Sequence, residues 1–389
     1  MEWIFIILYS LYFGLVPFDN IKELTGDTIT KTLGLIIIAF IVIYLIIKRT
    51  KSLKLNFINT TYLIVFLIYS FTYFVLSKVD DGNYIRFCFL FLLFFLSSQL
   101  SLKKEVLGKI FNYSTVIIAI ISISSILLNL SLTYLDRTHY YIWNGLSVDA
   151  NIYCSTLIFP VLFSLNNVLE GKGKKKILYM LMLVPMILSI FISGSRGGLL
   201  AIGVGILFLL LFNNKSKTYN KVIFIVILIL LIYIIMPYLP SNIVNRLSLS
   251  AIAEDKASAR FEIWEYAFNK FKSESVFYMI FGNGFLSFKN ALGIRSVSHN
   301  LFVQTLIEGG IVMIMILVSL FVKIIKYFKN NNSAFMISFV VSLLIMSCSL
   351  DVIVSRFFWN SMIIICFYMN LNNRVFIKSA KAIVGEESE

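Results

Sequence analysis

An all-α polytopic membrane protein with about twelve transmembrane helices is the fold class the sequence predicts, and three observations carry it. Of 389 residues, 59% are hydrophobic and only 14% charged, whereas soluble domains are roughly a quarter charged and slightly under half apolar. The apolar residues gather in runs of about 16–22, the length that spans a hydrocarbon core. The basic residues fall in short clusters between those runs, not along one water-facing stripe. Together with a mean hydropathy of +0.88, this excludes a soluble enzyme, a disulfide-rich secreted scaffold and a disordered chain. It also removes nucleic acid as the explanation of the +14 net charge, because that reading needs cations on a solvated surface.

Hydropathy places the spans at 3–18, 32–47, 57–76, 84–100, 110–130, 150–169, 177–193, 198–212, 222–239, 299–322, 333–350 and 357–370, all within one integral membrane domain, 1–389. With the N-terminus in the cytoplasm, alternate connections carry Lys48, Arg49, Lys51 and Lys54; Lys103, Lys104 and Lys109; and Lys172, Lys174, Lys175 and Lys176. The series continues with Lys215, Lys217 and Lys221; Lys323, Lys326 and Lys329; and Arg374, Lys378 and Lys381. Against these 20 cations that side holds six acids, while the other side carries 14 cations and 14 acids. The positive-inside rule therefore predicts both termini in the cytoplasm. The first span opens on Met1-Glu2-Trp3, without a basic n-region or a small-residue cleavage site, and reads as a retained helix. Cys88, Cys154, Cys348 and Cys366 lie inside apolar runs without ligand-like spacing, so they read as small buried hydrophobes.

Two outward connections stand out by length, 131–149 and 240–298. A 59-residue connection is normally functional. Ala257, Phe261, Trp264, Phe268 and Phe271 recur in it at spacings of 4, 3, 4 and 3, which predicts an amphipathic helix near 257–272. Such a helix can lie on the membrane surface or cover an outward cavity.

The arginines separate from the lysines. Arg86, Arg137, Arg196, Arg246, Arg260, Arg295 and Arg356 all face outward by this topology. A guanidinium is a planar, permanently charged fork that grips phosphate, so these residues suggest a diphosphate ligand; the plain alternative is snorkelling to the interface. Three local motifs sharpen the picture. Ser193-Gly194-Ser195-Arg196-Gly197-Gly198 forms an outward turn whose backbone can cradle an anion, or a tight helical hairpin. Ser258-Ala259-Arg260-Phe261-Glu262-Ile263-Trp264 opens the loop helix. Gly282-Asn283-Gly284-Phe285 precedes Ser298-His299-Asn300-Leu301-Phe302 and then Ile307-Glu308-Gly309-Gly310-Ile311.

His299 stands where the long loop re-enters the membrane, and imidazole is the commonest general base. Glu308 lies about 13 Å deeper at helical rise. Nine residues turn a helix by half a revolution, so the two face apart unless the helix breaks at Gly309-Gly310. Glu308 therefore reads first as a positioning residue. Asp149 and Asn151 open the sixth span as cap candidates. Arg137 and His139 sit in the shorter outer loop among Tyr140 and Tyr141, where aromatic rings either stack on sugars or form an interfacial belt.

The order SGSRGG, ARFEIW, FGNGF and SHNLFVQTLIEGGI resembles the O-antigen ligase and polymerase superfamily of bacterial membrane glycosyltransferases, with Ser147–Asn151 adding to the likeness. The motifs cover about 145–320. The resemblance implies a GT-C-type helical fold working at the outer face of the plasma membrane on undecaprenyl-diphosphate-linked glycans, with no cofactor and no metal. It implies that Arg196 and Arg260 hold the diphosphate and that His299 activates the acceptor hydroxyl. Arg295, Asn300, Glu308, Arg137 and Asp149 join Arg196 and Arg260 as expected substrate-binding residues.

The function expected is a polymerase (Wzy-type) that joins lipid-linked repeats into O-antigen or capsular polysaccharide by inverting glycosyl transfer. Donor and acceptor are both undecaprenyl-diphosphate-linked, and pairing with a chain-length regulator, a polysaccharide co-polymerase, stays open. A ligase passing finished glycan to lipid A core is the sister reading. A lipid-linked sugar flippase is the distant one; against it, the longest loop is outward and few charges lie at mid-membrane depth.

Overall fold

The computed structural model describes residues 2–19, 21, 29–49, 53, 55–77, 81–132, 139–247 and 260–386. Helices α1 (Glu2–Gly14), α2 (Ile29–Ile47), α3 (Phe57–Thr72), α4 (Asp81–Ser98) and α5 (Lys104–Leu130) come first. Then follow α6 (Ala150–Glu170), α7 (Gly173–Ser193), α8 (Arg196–Phe212) and α9 (Thr218–Ile235). Short α10 (Ser241–Leu247), α11 (Arg260–Ser273), α12 (Val276–Phe281) and α13 (Phe288–Leu292) lead into α14 (Leu301–Asn330), α15 (Ala334–Ser347) and α16 (Arg356–Glu386).

The protein is a helical, multi-pass membrane protein. Each of the twelve apolar runs overlaps one helix, and among the described residues seven helices are long and apolar enough to cross a membrane on their own. Of the other five, α1, α8 and α15 are shorter, α4 starts polar and carries Arg86, and α16 carries Arg374, Lys378 and Lys381 in its second half. The all-α expectation needs one correction. Tyr140–Trp143 (β1) and Leu146–Val148 (β2) form an antiparallel hairpin around Asn144-Gly145, a dipeptide that favours a tight reversal.

That hairpin is anchored, not loose on the surface. Asn129 at the end of α5 bonds both backbone groups of Tyr141, donating to its carbonyl at 2.6 Å and accepting from its N–H at 3.2 Å. The buried Tyr140 hydroxyl donates to the Ser189 carbonyl of α7 at 3.1 Å. In lipid, apolar burial gives helices little reason to associate, so small residues and interhelical hydrogen bonds supply it, at about 0.6 kcal/mol each. The Tyr153 hydroxyl of α6 follows this rule, donating to Ser122 of α5 at 3.1 Å and Ser189 of α7 at 3.0 Å.

At the other side of the bundle α3, α4 and α16 share an aromatic cluster of Tyr62, Phe94 and Trp359. Helix α9 is peripheral: Phe224 is its one buried side chain, and the remaining apolar surface faces where lipid would lie.

Candidate functional site

The segment between α11 and α14 is built around a break in α14. Gly310 adopts φ 66°, ψ −168° inside that helix, which frees carbonyls of the preceding turn. Buried carbonyls must find donors, and the Gly282-Asn283-Gly284 turn supplies them: Asn283 N–H donates to Ile307 O at 2.9 Å and Gly284 N–H to Glu308 O at 3.0 Å. The approach is so close that a Cβ on Gly282 would overlap the Glu308 backbone, and one on Gly310 the Ile280 carbonyl. Both residues also have φ in the left-handed half of the map, so glycine is required twice over. Phe285, wholly buried, then stacks on Tyr69 of α3 at 4.4 Å and packs against Phe87 of α4. The segment between α11 and α14 is thereby docked onto the amino-terminal helices.

Glu308 belongs to this scaffold. Its carboxylate accepts from the Gln304 amide at 2.9 Å and from Phe288 N–H at 3.4 Å, and the residue is 2% exposed. The helix breaks after Glu308, and His299 lies ahead of the first turn.

His299 has φ 50°, a left-handed conformation that costs a non-glycine residue about 1–3 kcal/mol and persists only where neighbours enforce it. The neighbours are identifiable. Ser298 donates its hydroxyl to Gln304 Oε1 at 3.0 Å and accepts from Asn300 N–H at 3.1 Å. Asn300 caps α14, its side-chain oxygen accepting from Phe302 and Val303 N–H. Trp264 of α11 donates its indole N–H to Ser298 O at 2.8 Å.

His299 faces a cavity of about 340 Å³, and the residues around it are Arg260, Val297 and His299 from the segment ahead of α14 with Arg86, Asp149, Asn151, Ile152, Leu350, Asp351, Val354 and Ser355 from the bundle. These residues lie at helix ends away from the lysine clusters. Asp149 is the N-cap of α6, accepting from Asn151 and Ile152 N–H, and the β hairpin delivers it there.

Arg196 is the first residue of α8 and half-buried, beside the cavity but not on its wall. Gly194, at φ 61°, ends α7; Ser195 caps α8 and donates to Asn151 Oδ1 at 2.6 Å. The SGSRGG turn is thus tied directly to the cavity wall through Asn151.

Of the residues expected from sequence, the fold therefore gathers Asp149, Arg260 and His299 around one cavity, with Arg196 adjoining. Asn300 and Glu308 stand behind it as caps and struts. Arg295 is exposed and does not line the cavity. Arg137 lies outside the described residues, as does Ala257 of the apolar stripe. Asp351, which no sequence motif pointed to, and Arg86, grouped from sequence among the seven outward arginines but given no individual role, are also on the wall. Asp351 follows α15 on a short connection; burial raises its carboxyl to about 6, opposed by Ile353 N–H, the Gln304 amide and the Lys289 charge.

Residues 181–318 match the family described as O-Antigen ligase, whose members are membrane glycosyltransferase- or ligase-type enzymes. No curated protein matches the chain. The matched residues contain Arg196, Arg260, His299 and Glu308 but not Arg86, Asp149 or Asp351, which complete the cavity.

Proposed function

We propose that the protein is a polymerase that joins undecaprenyl-diphosphate-linked oligosaccharide repeats into O-antigen or capsular polysaccharide. The observation that supports this most is the 340 Å³ cavity with Arg260 and His299 on its wall and Arg196 beside it. In this reading all twelve apolar helices cross the bilayer in a GT-C-type arrangement, both termini are cytoplasmic, and the cavity opens at the outer face.

The reaction needs an acceptor hydroxyl, an anomeric carbon and a leaving diphosphate. The acceptor oxygen attacks the anomeric carbon of the growing chain as the bond to the diphosphate oxygen breaks, and the configuration inverts. The bonding pair leaves with the diphosphate, and the hydroxyl proton passes to His299. Arg196 and Arg260 stabilise the charge that develops on the leaving group, a task a metal ion performs in other transferases. His299 is held for this by Trp264, Ser298 and Asn300, so little reorganisation accompanies proton transfer.

The test is the purified protein with defined lipid-linked repeats. A ladder of longer lipid-linked glycans is expected from wild type, and none from His299→Ala or Arg196→Ala at equal protein level. Transfer to lipid A core without a ladder would instead establish the ligase. Normal polymer from either variant would remove the assignment.

A further inference from the structure

A buried charge cluster adjoins the cavity and plays no part in the mechanism above. Asp19, on the turn after α1, is 6% exposed. One of its carboxylate oxygens accepts from the buried Arg356 at the head of α16 and from Thr30 of α2 at 2.8 Å. The other accepts from Arg86 of α4 at 2.8 Å. One carboxylate thus engages two guanidiniums that are not equivalent. The Arg356 side chain is 5% exposed, whereas that of Arg86 is 31% exposed and lies on the cavity wall. Arg356 serves as the interior counter-ion, and Arg86 is the member turned toward the space where substrate would sit.

A guanidinium on a cavity wall that already carries Arg260 is suited to oxyanions of tetrahedral geometry, which it meets with parallel N–H donors. An arginine is costly to orient, since its side chain carries about 2 kcal/mol of rotamer entropy. The bond to Asp19, itself fixed by Thr30 and Arg356, removes that cost before ligand arrives. The facing acids, Asp149 and Asp351, limit where an anion can settle. Asp149 is engaged with the α6 amides.

We propose that Arg86 is a substrate-binding residue that grips a phosphate of a prenyl-diphosphate substrate, with Asp19 as the positioning residue that aims it. This rests on the reading of the cavity as a site for lipid-diphosphate-linked glycan. It gives the amino-terminal helices, outside the matched stretch, a direct part in binding. The phosphate belongs either to the donor or to the acceptor, since both carry a lipid diphosphate in a polymerase.

The experiment uses full-length protein in nanodiscs and two measurements. The first is binding of farnesyl diphosphate alone, without turnover. Arg86→Ala weakens it by about tenfold or more, and Arg86→Lys, which keeps the charge and loses the fork, by about threefold. Asp19→Asn weakens it as well, but adds nothing in the Arg86→Ala background. The second is steady-state polymerisation with donor and acceptor varied separately. KM rises for the substrate whose phosphate Arg86 holds, which names it, while kcat changes less than about threefold.

Farnesyl diphosphate binding by Arg86→Ala within twofold of wild type overturns the proposal. Should that variant fail to fold, wild-type affinity in Arg86→Lys overturns it equally. Wild-type protein that binds the probe through Arg86 yet builds no longer glycan keeps the phosphate site and removes the polymerase reading. Wild-type protein that does not bind the probe at all sinks the proposal whatever the polymerisation assay shows.

Discussion

Trp264 and Ser298 are joined by a 2.8 Å hydrogen bond from indole N–H to backbone carbonyl, so helix α11 holds the residue immediately before His299. Arg260 lies one turn from Trp264 on the same helix, and both His299 and Arg260 reach the cavity. The hydrogen bond therefore links the proposed proton acceptor to one of the proposed diphosphate ligands through a single rigid piece.

Replacing Trp264 by Phe keeps the ring and removes the donor. Loss of one such bond is worth about 1 kcal/mol, and a loosened His299 translates this into a fall in kcat of roughly fivefold. Protein yield and membrane insertion stay at wild-type levels. A kcat equal to wild type would show that the bond does not govern His299.

Gly310→Ala meets two penalties, a left-handed φ and a Cβ that overlaps the Ile280 carbonyl. Strain of this kind costs about 1–3 kcal/mol even before the clash. The variant is expected to melt several degrees below wild type in detergent and to lose polymerising activity, because the Gly282 turn and Glu308 can no longer meet. Gly203→Ala, inside α8 where a Cβ meets nothing within 4 Å, should keep the melting temperature or raise it slightly.

Asp351 gives stability a pH dependence whose sign can be worked out. Its carboxyl is raised to about 6 by burial, against about 3.9 in an unfolded chain. The folded protein therefore binds the proton more tightly. Stability falls as pH rises from about 4 to about 6 and stays at the lower value above that. Asp351→Asn removes this dependence, so its melting temperature relative to wild type should climb between pH 4 and pH 7. A constant difference across that range would contradict the assignment of the titration to Asp351.

Asn360 of α16 is 5% exposed, and among the described residues neither its amide nitrogen nor its oxygen has a hydrogen-bond partner. It borders a 40 Å³ cavity with Ser155, Thr156 and Ser361. An amide with unmet bonds contributes less than an apolar side chain of similar volume. Asn360→Leu is expected to be neutral or to raise the melting temperature, and a loss of several degrees would mean the amide has a partner role.

Each of the twelve apolar runs falls on a helix, and seven of those helices are long and apolar enough to cross a membrane, because that length is imposed by lipid and written in consecutive residues. The hairpin at Tyr140–Val148 did not emerge in the same way. Its aromatic residues read equally well as an interfacial belt, although Asn144-Gly145 carried the turn signal. At the site, His299, Arg260 and Asp149 could be singled out because each sits in a local motif. Arg86 offered no such context, being one of seven outward arginines, and Asp351 is a lone acid between two spans. Their place on the cavity wall follows from contacts between helices far apart in sequence. The roles of Asn300 and Glu308 were partly legible, since a cap residue ahead of a helix and a buried acid beside a glycine pair both suggest scaffolding. The break at Gly310 was a conditional reading that backbone geometry resolves.

The bond between Asp19 and Arg356 spans 337 positions in the chain, whereas the one between Asp19 and Arg86 spans 67. A ribosome delivers Asp19 to the membrane long before the last helix exists. Of its two arginine partners, Arg86 is made first and is available to shield the acid while the helices between α4 and α16 are made. Arg356 then arrives as the closing clasp, relieving Arg86 of sole custody of Asp19 at the moment the molecule is complete. Chains truncated before the final helix would lack that clasp and leave Asp19 with Arg86 as its arginine partner.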